Sequence, residues 1–133
     1  MINDSDRAFL ESVEKCEWPG AFTHEDHIRL AWIYLQKHPT DEAIIRCGST
    51  LRGFAESHGD FGKYHETLTV ALTRLISSHV DETPPTETWE AFRDRVRPLF
   101  ESARELIARH YSQERLSQSD ARKIFVPPDR KPL

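Results

Sequence analysis

The chain is short of the features that staple, span or grip. Its two cysteines, Cys16 and Cys47, among 133 residues match no metal-ligand or disulfide-framework spacing, so they read as small buried apolar residues without assigned chemistry. Basic residues form no block: 18 Lys and Arg stand against 22 Asp and Glu, a formal charge of −4. That excludes a polybasic groove for nucleic acid or a patch for anionic lipid, both of which need clustered cations to neutralise phosphates. Long apolar runs are missing too. Charge-free stretches such as Thr67 to Thr73 fall far short of the ~20 residues that cross a bilayer. The start, Met1-Ile2-Asn3-Asp4, lacks the basic-then-apolar pattern of a signal segment. The expected location is therefore cytoplasmic, with no membrane and no nucleic acid as partner.

Several catalytic signatures are absent. His65-Glu66 begins like the zinc-protease helix, but four residues after His65 comes Thr69 instead of a second histidine. No Glu precedes a His by three, which removes the paired motif of di-iron bundles. There is no His-Asp dipeptide and no glycine-rich phosphate loop, so nucleotide hydrolysis loses its usual ligands. Alternating apolar patterns are nearly absent, and strands find almost no support.

What remains is helical. Apolar residues recur at spacings of three and four, which predicts an all-α fold: an antiparallel bundle of four to five helices with an extended, proline-rich C-terminal tail. A chain of this size can bury roughly two thirds of its unfolded surface, enough for one domain over 1–133, with a core in 4–112 and a short helix and tail in 113–133. The first helix is expected from Asp4 or Ser5 to Lys15, stopping at Trp18-Pro19-Gly20. Thr23 and Asp26 form a shortened capping box for the second, which Pro39 ends. Thr40 is expected to cap the third, which runs to His58-Gly59. The fourth is expected over Lys63 to His79, with His65, Leu68, Leu72 and Leu75 on one stripe. A loop follows over Asp81 to Thr86. The fifth starts near Thr86 or Thr88 and reaches Ile107, with Leu99 inward and with Pro98 kinking or splitting it. A last short helix lies near Ser119 to Phe125.

Seven histidines are many for this length. His24 and His27 share the apolar face of the second helix with Ala31 and Leu35, and His65 opens the fourth. Short loops make the second and fourth helices parallel, which puts their starts at one end. The ends of the other helices join them there, with Cys16, Glu17, His58, His110 and Tyr111. Three imidazoles at one end predict a divalent transition metal, zinc, iron, manganese or nickel, with a position left open for water or substrate. His24, His27 and His65 are the expected ligands. Glu66 is the expected general base or hydrogen-bond acceptor for a ligand histidine, and Asp26 is a further candidate ligand. Lys63, Tyr64, Arg29 and Arg52 could hold an anionic group. Trp32, Tyr34, Phe61, Tyr64 and Tyr111 could line an apolar pocket. The plainer alternative is that such histidines bond carbonyls or helix caps.

The segments Phe22 to Leu35 and Lys63-Tyr64-His65-Glu66-Thr67-Leu68-Thr69, with the ending Phe125-Val126-Pro127-Pro128-Asp129, resemble the signatures of a family of small, uncharacterised bacterial helical proteins. The resemblance covers nearly the whole chain, except around Pro98. It implies that His24, His27, His65 and Glu66 fall in signature segments, and it carries no assigned reaction. The leading expectation is a metal-dependent hydrolase, lyase or oxygenase acting on a small-molecule substrate, with a homodimer left open. The alternatives are a metal-free acid-base enzyme using His65 and Glu66, or a non-catalytic binding or assembly module.

Overall fold

The computed structural model describes residues 1–60, 62–81 and 85–133. Phe61, expected in the pocket wall, and the middle of the Asp81 to Thr86 loop lie outside the described residues. Those residues form eight helices and no strand: α1 (Asp4–Glu14), α2 (His24–Lys37), α3 (Thr40–Ser57), α4 (Glu66–Val80), α5 (Trp89–Phe100), α6 (Ala103–Ala108), α7 (Gln113–Ser117) and α8 (Ser119–Lys123).

The first helices begin as their caps dictate. Asn3 and Asp6 exchange side-chain and backbone hydrogen bonds at the start of α1. Thr23 and Asp26 do the same at α2, with bonds of 2.9 and 3.1 Å. Each such cap is worth about 1 kcal/mol. Two expected starts move. Pro39, with no side chain able to cap, precedes α3, and Thr40 is its first helical residue. Helix α4 begins at Glu66, so Lys63 and Tyr64 lie outside it and His65, in extended backbone, is its N-cap. Consequently His65 does not share a helical stripe with Leu68, and Leu68 is left exposed while Leu72 is buried. Pro98 is accommodated inside α5, and the break follows at Glu101 and Ser102, before α6. Leu99 faces solvent, contrary to expectation.

Helices α2, α3 and α4 pack on one another, with α1 against α2 and α3 and α5 against α2. Trp32 is the largest fully buried side chain of the main core, with its ring centroid 5.8 Å from that of Trp89 and 6.2 Å from that of Phe92. Cys47 is buried in this core, and burial pushes its thiol up to about 12. Arg29, an expected anion holder, is instead bound to the fully buried Asp6 at 2.7 Å and lies over the Phe9 ring.

A second, smaller cluster of Ala71, Ile107, Tyr111, Ala121 and Val126 joins α4 to α6, α8 and the tail. The tail beyond α8 carries no helix or strand, with bends at 129–131, and is tied down by side-chain hydrogen bonds. Thr67 Oγ1 donates to the Ile124 carbonyl and accepts from Val126 N–H, while Tyr111 donates to the Val126 carbonyl.

Candidate functional site: a cleft between the two layers

The main bundle and the C-terminal layer leave between them a cleft of about 1260 Å³. The start of α2, the end of α3, the approach to α4, and then α6, α7 and α8 all contribute to its wall. His24, His27, His58 and His65 line it together, and so does Tyr111. The three predicted histidines thus line one cleft. Among the described residues, however, no group of three or more His, Cys, Asp or Glu side chains is arranged to hold a metal ion.

His65 shows why. Its Nδ1 accepts a hydrogen bond from Leu68 N–H at 3.2 Å, and a backbone amide can only donate. In the neutral ring the proton therefore sits on Nε2, which donates to the Leu116 carbonyl at 3.2 Å. Both nitrogens are engaged, one capping α4 and the other fastening α7. A metal on Nε2 would require the proton on Nδ1, where the cap forbids it. Burial, the leading cause, and the nearby Arg122 hold the imidazole below its ordinary value, outweighing the opposing pull of the Leu116 carbonyl.

Glu66 also has a structural partner set. Its carboxylate accepts a short hydrogen bond from Tyr64 and lies 3.9 Å from Arg52, whose guanidinium is 5.0 Å from the centre of the Tyr64 ring. It faces α3 and is not a lining residue of the cleft. Burial first, then the Glu66 carboxylate, raises the Tyr64 phenol well above its usual range. Gly48 makes room for this group: a Cβ there would stand 2.8 Å from the Tyr64 oxygen. An isolated glycine within a helical pattern is the sequence signal for such close approach. Asp26 is spent on the α2 cap.

His27 is different. Its Nε2 is buried and has no hydrogen-bond partner among the described residues. Burial above all, and then the neighbouring His24, lower its pKa to about 4, so the ring is neutral at physiological pH. A neutral, desolvated imidazole with an unused nitrogen can accept or donate a hydrogen bond, or ligate a metal. His24, one turn earlier on α2, is exposed on the same wall. His58 bonds through Nδ1 to the Phe54 carbonyl at 2.9 Å and stacks on that ring.

No protein-family profile, curated protein or solved structure matches the chain. No helix among the described residues is long and apolar enough to cross a membrane.

Proposed function

We propose that the cleft is the reaction site of a cytoplasmic enzyme acting on a small molecule, and that His27 is the group that meets this substrate. His27, a cleft-lining residue whose Nε2 is buried and unpartnered among the described residues, carries this reading. Leaving such an atom unsatisfied costs about 1 to 3 kcal/mol, a cost that a ligand hydrogen bond removes. A strongly shifted group lining a cleft is a candidate functional group. At a pKa of about 4 the ring is a weak base in the empty site. Ligand charge beside it would raise that value, and with it the capacity of the ring to take a proton.

The spacing of His24 and His27, one turn apart on α2, favours a second reading in which a divalent transition metal, zinc, iron, manganese or nickel, binds those two rings and completes its shell with water and substrate. His65 and Glu66 then serve as positioning groups, holding α4 and α7 at the cleft edge. Membership of the bacterial family that the signature segments resemble belongs to the same proposal.

Thermal melting of the full chain and of His27→Gln, against a library of small metabolites and each of the four metals, tests both. Compounds that stabilise the parent and not the variant support the first reading, because only ligands of the folded state raise Tm. A metal that does so, and fails with His24→Gln as well, supports the second. If no compound or metal depends on His27, the proposal falls.

A further inference from the structure

The charge in the cleft runs against the charge of the chain. Acidic residues outnumber basic ones, 22 to 18, over the whole sequence. Yet Lys63, Arg104, Arg122 and Arg130 line the cleft against a single carboxylate, Asp60. Lys63 already accounts for that carboxylate, at 3.8 Å. Arg122 spends one N–H on the Gly62 carbonyl and Arg130 one on the Ala108 carbonyl, at 2.8 and 2.9 Å. A guanidinium has five such donors, so both keep free ones while their backbone bonds fix where they sit. The Arg104 side chain, on α6, makes no hydrogen bond or ion pair among the described residues. All three arginines are exposed, whereas Phe54, Leu72 and Ile107, on the same wall, are buried. The cleft therefore has a basic rim and an apolar floor. Its volume of about 1260 Å³ is generous for a bare ion and suits an organic body.

Resting on the reading of the cleft as a small-molecule site, we infer that its ligand is an organic anion. The carboxylate or phosphate head is held by Arg104, Arg122 and Arg130, and the apolar body lies on Phe54, Leu72 and Ile107. Guanidinium forks suit both head groups, since each presents paired oxygens to parallel N–H donors. A rim of one sign above low-dielectric walls also concentrates such ligands and speeds their entry.

Calorimetric titration of the full chain with octanoate, octyl phosphate and 1-octanol, all below micelle formation, tests the inference. At least one anion should bind about tenfold or more tighter than octanol, and the tighter of the two identifies the head group. Arg104→Gln, whose side chain has no internal bonds to lose, should weaken that anion severalfold. The Arg104→Gln/Arg122→Gln double variant should weaken it by about tenfold or more. Arg46→Gln, which alters an exposed pair with Glu42, should leave it unchanged. Octanol binding as tightly as the anions, anion affinity unmoved in folded Arg104→Gln, or no binding by any probe would each overturn the inference. Octanol binding that needs His27 would do so while leaving the small-molecule site standing. Loss of His27 dependence for every compound, by contrast, removes the site itself.

Discussion

The two layers that enclose the cleft are built on different physics. The bundle of α1 to α5 buries Trp32, Phe92, Leu30, Ile33, Ile76 and Val13 almost completely, and its stability comes from area and close packing. The layer of α6 to α8 and the tail contributes only four buried residues, Ile107, Tyr111, Ala121 and Val126, to the small cluster it forms with Ala71 of α4. Directed bonds hold it instead. Thr67, Tyr111 and His110 fasten the tail from within, Arg115 binds the Pro127 carbonyl, and Ser112 binds Asp129. Hydrogen bonds contribute modestly each and depend on geometry, so this layer is the natural low-stability unit. A cleft bounded by one rigid wall and one lightly fastened wall can admit a ligand without opening the main core.

Four substitutions test that contrast. Phe92→Ala, in the main core, should cost about 3 to 5 kcal/mol in urea unfolding and destabilise both layers together. A loss under about 1 kcal/mol would mean that the bundle is not packed as described.

The second is a pH effect at the cleft wall. Unfolded, the His27 imidazole protonates near pH 6.5; folded, only near 4. The unfolded chain then holds more protons between those values, so stability is full above pH 6.5 and is lost as the pH falls toward 4. At ~1.4 kcal/mol per pH unit of displacement the loss is on the order of 3 kcal/mol. His27→Gln should lack that part of the acid sensitivity when urea midpoints at pH 7.5 and 4.5 are compared. Equal sensitivity in the two proteins would show that His27 is not held neutral.

Thr67→Val, third, removes both bonds from Thr67 to the tail and should cost about 1 to 3 kcal/mol. Hydrogen exchange should show lost protection over 124–131 with the α2 and α3 amides unchanged. Uniform loss across the chain would merge the two layers into one cooperative unit. The smallest effect is one of sign. Ala in place of a mid-helix Gly normally stabilises by roughly 0.5 to 1 kcal/mol, but at Gly48 the added Cβ meets the Tyr64 oxygen. Gly48→Ala should therefore destabilise slightly, and a stabilised variant would refute the close approach.

Much of the bundle was legible in the sequence because its signals are local. The Thr23 and Asp26 capping box, the break at Pro39 and the three-and-four apolar spacing each need only neighbouring residues, and all three appear in the structure. That His24, His27 and His65 line one cleft agrees with the end of the bundle expected for them, although no close cluster of three forms among the described residues. The start of α4 was not legible, because histidine is an unusual N-cap and the Lys63-Tyr64-His65 segment continues the helical pattern. That one displacement gives His65, an expected ligand, a capping bond to Leu68 N–H. The partners of Glu66 come from α3, and the basic rim is assembled from α6, α8 and the tail. In sequence those arginines resemble any solvated helix face. The idle nitrogen of His27 is likewise visible only when its surroundings are known.

His27 lines the cleft as a neutral imidazole with a buried, unpartnered Nε2. An NMR titration of the histidine ring nitrogens, on the full chain with and without the tighter of octanoate and octyl phosphate, measures it directly. One imidazole, assigned to His27 through the His27→Gln variant, is expected to protonate near pH 4 in the free protein and to shift on addition of the ligand. A His27 ring that titrates near pH 6.5 and ignores the ligand would contradict it.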